Sequence, residues 1–247
     1  MNKMTLAQLR AHIAALENPE RKLAVLPFGV TEIDAVLPWG GLPMGGLHEI
    51  DMPPDDAGDG PALGFVAVLL GRLAVQQRRP VLWVSGRDDL YAPGLAGFGL
   101  AAEQLLMVRP GRGSEILAAM EEGTRCCGLA AVAGEVWTLD GIAVRRLQLA
   151  ARESGSTVLV MTRGDGHGTA LTRWRVGPAP SAPPIPEAVG EWRWWLTLTH
   201  CRGRGTNDDG VVARWLVEWN DETHRLRLAA VSGDRSAVPE DRRRAAG

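Results

Sequence analysis

The stretch HEIDMPPDDAGDGPALGFVAVLLGRLAV, residues 48–75, decides the fold. A short strand runs into a loop of Gly, Pro and Asp, and an apolar helix follows, which is the layout of a phosphate-binding site. In an active phosphate loop, a Lys holds the β- and γ-phosphates and a neighbouring hydroxyl binds Mg²⁺. Here the loop carries aspartates, and the sequence has no lysine after Lys22. The stretch therefore keeps the frame of a nucleotide site but carries the opposite charge.

The charge of this loop argues against a bound triphosphate. At an effective dielectric constant of about 20, two like charges about 4 Å apart repel by ~4 kcal/mol, whereas a helix N-terminus returns only ~0.3 to 2 kcal/mol. The aspartates also lack the ligand spacing of a calcium loop. We therefore expect no catalytic residue, no cofactor and no metal site. The degenerate loop consists of Asp51, Asp55, Asp56, Gly58, Asp59 and Gly60.

A strand-end carboxylate is the second element of a phosphoryl-transfer site, because it can hold Mg²⁺. Glu135, at the end of the apolar segment LAAVAGEV, is the residue in that position. With the phosphate loop disabled, we expect Glu135 to be a solvated strand end.

The alternation of apolar segments predicts the fold class. Short apolar strands at 47–50, 80–85, 105–110, 128–136 and 156–162 alternate with helices at 62–77, 114–125 and 140–153, which is typical of a parallel sheet covered on both faces. Segments with alternating apolar residues follow Arg163 and predict an antiparallel meander. We predict an α/β fold with a doubly wound, mainly parallel sheet flanked by helices and extended by C-terminal antiparallel strands. The expected units are a helical arm (1–22), the α/β domain (23–232) and a flexible basic tail (233–247).

Composition limits the class of protein. A formal net charge of −2 and 45% hydrophobic residues are ordinary for a globular chain and do not indicate bulk nucleic-acid binding. The three cysteines have no disulfide or metal-ligand spacing. Because we find no signal peptide and no apolar run of the ~20 residues that a membrane span needs, we expect a cytoplasmic protein that does not contact membranes.

Three surfaces are candidates for binding. An amphipathic N-terminal helix either covers its own domain or packs on a partner, and the arginines of the tail are either solvated or bind a partner. Arginines that alternate with tryptophans before and within the meander suit single-stranded nucleic acid, although tryptophans on such strands more often pack a core. The partner candidates are Leu6, Leu9, Ile13, Leu16, Arg242, Arg243 and Arg244, and the DNA candidates are Arg173, Trp174, Arg175 and Arg193.

Several segments resemble known families. GVTEIDAVLPWGGLPMGGLHEI (29–50) is similar to the entry to the RecA ATPase core, and RRLQLAARESGSTVLVMTRG (145–164) resembles the RecA helix and strand before its second DNA-binding loop. ALTRWRV (170–176), HCRGRG (200–205) and RWLVEWNDETHRLRLA (214–229) give a closer resemblance to the ImuA family, over residues from about 26 to 230.

The resemblance implies a RecA-like fold and a function. ImuA-like proteins act in translesion DNA synthesis and SOS mutagenesis with ImuB, an inactive relative of Y-family polymerases, and an error-prone DNA polymerase III alpha subunit. By resemblance, the chain is a non-catalytic accessory subunit that binds an ImuB-type protein, reaches the polymerase indirectly, and has single-stranded DNA and a second copy of itself as further candidate partners. The alternatives are a RecA-type DNA-dependent ATPase with an atypical loop and a SulA-like cell-division inhibitor that binds FtsZ.

Overall fold

A computed structural model describes residues 24–52, 58–111, 113–136, 139–164, 169–181, 190–207 and 210–229. The arm and the tail expected from the sequence lie outside the described residues, and so do Asp55 and Asp56 of the loop. The seven partner candidates also lie there: Leu6, Leu9, Ile13, Leu16, Arg242, Arg243 and Arg244.

Most strands of the described chain join one sheet of nine strands. Their order is β11-β10-β9-β8-β3-β7-β6-β4-β5, and a separate two-stranded sheet pairs β1 with β2. From β8 to β5 all neighbours are parallel, and from β8 to β11 all are antiparallel. The strands are β1 (Val25–Leu26), β2 (Leu42–Pro43), β3 (Leu47–Asp51), β4 (Val81–Val84), β5 (Leu105–Val108), β6 (Ala131–Glu135), β7 (Thr157–Thr162), β8 (Thr172–Pro178), β9 (Trp192–Cys201), β10 (Ala213–Asn220) and β11 (Arg225–Leu228).

Helices cover both faces of the parallel part. The α-helices are α1 (Thr31–Asp34), α2 (Gly60–Gln77), α3 (Gly113–Arg125) and α4 (Gly141–Ser154), and two 3₁₀ helices span Ala92–Phe98 and Ala102–Gln104. α2 packs into a core formed by one face of the sheet, and α3 and α4 pack into a core on the opposite face. Because the central strands are covered on both sides, β4 is wholly apolar and β6 and β7 are polar only at their ends, whereas β3 also buries His48, Glu49 and Asp51. The predicted fold class is confirmed.

Local sequence explains where these helices begin and end. Asp140 caps α4 by accepting a hydrogen bond from the Ala143 amide at 2.6 Å, and Gly155 ends the helix in the left-handed conformation at φ 80°. α2 is long and apolar enough to cross a membrane, but 61% of it is buried inside the domain. Burial on this scale is what the central helix of an α/β core requires.

The meander contributes tryptophans to the core on the α2 side. Trp174 of β8, Trp194 of β9 and Trp219 of β10 are each at most 2% exposed. Trp192, at the start of β9, is 58% exposed, but its ring contacts Phe98, which also contacts Trp194, so the two tryptophans share one face as the alternation predicts. Aromatic residues on these strands therefore pack mainly as core, as their alternation favours.

Candidate functional site

The candidate site lies at the carboxyl ends of the parallel strands, where open α/β sheets bind ligands. β3, β4, β6 and β7 all end at this edge, and α2 begins there after the loop. The edge therefore brings together side chains that are far apart in the sequence, and most of them are charged.

Asp59 is the centre of this site. It immediately precedes α2, and its side chain is 9% exposed. Arg87 Nη1 lies 2.6 Å from Asp59 Oδ2, and Arg163 Nη2 lies 2.8 Å from Oδ1 and 3.0 Å from Oδ2. Arg87 follows β4 and Arg163 follows β7. Two guanidinium groups, from the ends of the two strands that flank β6, thus hold one carboxylate at the positive end of α2, where an anion is stabilised by the helix dipole.

Arg87 is shared between three carboxylates. Besides Asp59, it donates two hydrogen bonds to Asp89, at 2.8 and 2.6 Å, and lies 3.9 Å from Glu135 Oε2. The hydrogen bond with Asp89 is the main reason that the pKa of Arg87 is raised. The same bond lowers the pKa of Asp89. Three of the five N–H donors of this guanidinium are therefore used by carboxylates of its own chain.

Glu135 is not a solvated strand end, so that prediction was wrong. It is 2% exposed, and Oε1 accepts a hydrogen bond of 2.7 Å from Ser85 Oγ. Burial raises the pKa of Glu135, and the bond from Ser85 and the charge of Arg87 oppose this shift. Neighbouring strands enclose the end of β6, because β4 and β7 flank it on both sides.

The structure also shows the partners of the arginines predicted to bind DNA. Arg175 Nε donates to Asp51 Oδ2 at 2.8 Å, and its side chain is 56% exposed. Arg173 is 12% exposed, lies 3.7 Å from Glu49 and donates to the Gly164 carbonyl. Of these two, only Arg175 presents most of its side chain to solvent.

The remaining DNA candidates are less accessible. Trp174 is fully buried and donates from Nε1 to Thr172 Oγ1 at 2.8 Å, so its assignment to DNA contact is corrected to core packing. Arg193 is 14% exposed and pairs with Glu218 at 3.0 Å. Period-two alternation places Trp174 on the opposite face of β8 from Arg173 and Arg175, which is why the three cannot form one surface.

Arg87 and Arg163 are the site residues that sequence reasoning missed. The available signal was their position directly after a predicted apolar strand, because the ends of parallel strands meet at one edge. Within the described part of the chain, no group of three His, Cys, Asp or Glu side chains is arranged to hold a metal ion. Among the described residues, the charged side chains of the site pair with one another.

Comparisons with known proteins show the family to which this chain belongs. No protein-family model matches the chain. A solved structure of the RadB recombinase superimposes with a TM-score of 0.55 over 83% of this chain and 100% of that chain, at 14% sequence identity, and shows that the fold is RecA-like. Protein ImuA from two strains of Caulobacter vibrioides, NA1000 and ATCC 19089, is 36% identical over 81% of this chain and 85% of its own length. At that identity and coverage, the chain belongs to the ImuA family.

Proposed function

We propose that this chain is a non-catalytic accessory subunit of an error-prone translesion DNA synthesis complex, in which it binds an ImuB-type protein. Membership of the ImuA family supports the biological setting. The observation that carries the non-catalytic role is the ion pair of Asp59 with both Arg87 and Arg163 at the start of α2. The chain's own carboxylate takes the position at which a phosphate loop would hold the phosphates of ATP.

The local charge balance supports this role. Two guanidinium groups face Asp59, Asp89 and Glu135. Even with Glu135 protonated, which its raised pKa favours, the cluster has no net positive charge to offer a triphosphate. A nucleotide could bind only by displacing Asp59, which would leave that carboxylate without partners at the helix N-terminus. Because the Asp59 side chain is only 9% exposed, leaving its carboxylate without these partners is unfavourable.

A calorimetric titration with Mg-ATP, with and without single-stranded DNA, tests the absence of nucleotide binding. We expect no binding heat from the wild-type chain at millimolar ATP, and an active RecA-type ATPase serves as positive control. Asp59→Ala removes the carboxylate that faces both arginines, so we expect weak binding of an external anion in this variant. Asp89→Ala is the matched control, because it removes another carboxylate from Arg87 and leaves the Asp59 ion pair intact. Saturable binding to the wild type would refute the proposal.

Co-purification tests the accessory role. The full chain, co-expressed with an ImuB-type protein, should be retained by it, and the DNA polymerase III alpha subunit should be recovered only when the ImuB-type protein is present. A chain without residues 1–22 and 233–247 tests the surfaces predicted from the sequence. Unchanged retention of that chain would place the partner surface on the α/β domain, whereas no retention of the full chain would refute the partner assignment. The proposal places the protein in the cytoplasm with the DNA that it serves.

A further inference from the structure

The antiparallel meander, β8 to β11, has two faces, and one of them packs against α2. Trp194 of β9, Val217 of β10 and Leu226 of β11 belong to the core that α2 fills. Because side chains alternate along a strand, the residues between them point to the opposite side of the sheet, which is the side of α3 and α4. Those two helices contact β3, β4, β6 and β7, and the core beneath them contains no described residue of β8 to β11. We call this side of the four strands the outer face of the meander.

Strand pairing arranges the side chains of the outer face in cross-strand rows. Three consecutive rows cross the face, and each takes one residue from each of three neighbouring strands. The rows are Arg175, Thr197 and Arg214; Gly177, Trp195 and Leu216; and Arg193, Glu218 and Arg227. Neighbouring strands are ~4.8 Å apart and neighbouring rows are about 6.7 Å apart, so the whole pattern lies within about 15 Å. Arginines therefore lie on both sides of a central row that contains an aromatic ring.

Trp195 is the centre of the outer face and holds a guanidinium group in place. The Cζ atom of Arg214 lies 4.2 Å from the centroid of the Trp195 ring, which is a cation–π contact. Arg214 is exposed, and it pairs with no carboxylate among the described residues. Gly177, directly opposite Trp195 on β8, has open space where a side chain would stand. Arg214 and Trp195 thus form a charged stacking pair beside an open space.

The other charges of the outer face turn guanidinium groups towards solvent. Arg175 and Arg227 are exposed, whereas the carboxylates that accept from their Nε atoms, Asp51 and Glu218, are buried. These two hydrogen bonds measure 2.8 and 3.0 Å. Arg227 also pairs with the partly exposed Glu191. A ligand that approaches this face therefore meets mainly positive charge, although the chain has a formal net charge of −2.

We propose that the outer face of the meander binds single-stranded DNA. Proteins that bind single strands without sequence preference combine cations for the phosphates with flat side chains on which bases stack. Tryptophan rings and guanidinium planes both serve as stacking surfaces for bases, and Trp195 with Arg214 supplies one of each. The guanidinium groups of Arg175 and Arg227 then serve the phosphates on either side of a stacked base. An acidic protein segment would match these charges but would leave the stacking pair and the space at Gly177 unused.

This binding site goes beyond the accessory role, because it gives the chain a contact with DNA that does not depend on which protein it binds. It retains Arg175 from the candidates predicted from the sequence. Trp174, which points to the core, is replaced by Trp195 on the outer face. Duplex DNA offers phosphates but keeps its bases stacked inside, so we expect it to bind this face more weakly than a single strand.

Fluorescence anisotropy of a labelled dT oligonucleotide of about 20 residues, titrated with the full chain between 25 and 200 mM salt, tests the proposal. Trp195→Ala removes the aromatic ring and the support of Arg214, and the loss of one stacked base weakens binding by about 5- to 150-fold. Trp195→Phe keeps a flat ring and should retain most of the affinity. Trp192→Ala is the matched control, because Trp192 is an exposed tryptophan on the core side of the same strand and should be dispensable for DNA binding.

The salt dependence tests the phosphate contacts separately. For single strands, log K falls by about 0.7 per unit of log salt concentration for each phosphate that a cation neutralises. The three exposed arginines Arg175, Arg214 and Arg227 therefore predict a slope of at least about −2 for the wild type. Arg214→Gln, which changes an exposed side chain and leaves the core intact, should reduce this slope by about 0.7. Arg79→Gln, at an exposed position just after α2, is the matched control and should keep the wild-type slope.

Urea unfolding of each variant should match the wild type, so that a loss of binding reports on the face and not on the fold. A wild type that leaves the anisotropy unchanged would overturn the proposal, and so would binding that both Trp195→Ala and Arg214→Gln leave intact. An equal loss in Trp192→Ala, or an unlabelled duplex that competes as well as the single strand, would also overturn it. The ImuB-type protein is absent from this assay. If DNA does not bind and Trp195→Ala instead abolishes retention by the ImuB-type protein, the face belongs to that protein and the proposal fails while the accessory role stands.

Discussion

His48 should make the stability of this domain sensitive to acid. This residue of β3 is fully buried. Its Nε2 lies 2.8 Å from the Pro43 carbonyl oxygen, and its Nδ1 lies 2.8 Å from Thr172 Oγ1. A carbonyl can only accept, so the network assigns the proton to Nε2. Trp174 Nε1 donates to the Thr172 hydroxyl, which is then free to donate its own proton to Nδ1. Both nitrogens of the neutral His48 ring therefore have a hydrogen-bond partner. A second proton, on Nδ1, would have no acceptor.

Burial lowers the pKa of His48 from 6.5 to about 4. The unfolded chain therefore takes up a proton at a higher pH than the folded chain. Stability from this group is complete above pH 6.5 and is lost as the pH falls towards 4. With about 1.36 kcal/mol per pKa unit, the loss is about 2 kcal/mol between pH 7.5 and 5.0 and about 3 kcal/mol by pH 4.

Urea unfolding of wild type and His48→Gln at several pH values measures this effect. At pH 7.5 the variant should be less stable, because Gln cannot reproduce both hydrogen bonds in a packed site. The difference in unfolding free energy should shrink by about 2 kcal/mol at pH 5.0, since only the wild type carries the proton penalty. His224→Gln, at an exposed turn, is the matched control for loss of an imidazole. A His48→Gln difference that stays constant from pH 7.5 to 5.0 would refute the assigned charge state.

Three further changes have defined outcomes. Gly71→Ala places a Cβ against the backbone carbonyl of Gly99, which cannot move aside as a side chain can. Thermal unfolding should therefore show a loss of about 1 to 3 kcal/mol in the free energy of unfolding. Gly97→Ala, with open space around the new Cβ, should cost less. Asp59→Ala should cost about 2 kcal/mol in urea unfolding, because its ion pairs are intermediate between exposed and buried ones. If the chain binds single-stranded DNA, Arg175→Ala should lower the affinity and flatten its salt dependence in fluorescence anisotropy, whereas Trp174→Phe, a core change, should leave DNA affinity unchanged.

The order of elements could be predicted from the sequence because it depends on local pattern. Apolar runs separated by helical segments gave the parallel sheet, and the loop before α2 followed from its Gly, Pro and Asp content. β6 begins three residues later than predicted and β5 ends two residues earlier, because hydrogen bonding to neighbouring strands decides where a strand starts and stops.

The site was less predictable because its geometry depends on residues far apart in the sequence. A Glu at the end of an apolar segment, such as Glu135, is typical of a solvated strand end. In the fold, however, the neighbouring β4 and β7 bury this side chain beside Ser85. For β8, alternation separates Trp174 from Arg173 and Arg175, but the pattern alone does not say which face meets α2. The ion pair between Asp59 and Arg163 joins residues that no local pattern connects.

The carboxylate of Asp59 differs from a bound phosphate in one physical respect. A nucleotide exchanges with solvent, so occupancy of its site follows the supply of ATP, whereas Asp59 is attached to the chain and is present at an effective concentration that does not vary. On the proposed function, Arg87 and Arg163 therefore meet the same counterion whether the adenylate pool is full or depleted. The Asp59 carboxylate links the start of α2 to the residues that follow β4 and β7, and it always remains attached to the chain. If the chain binds no nucleotide, as proposed, the shape of this part of the fold does not depend on the ATP supply of the cell.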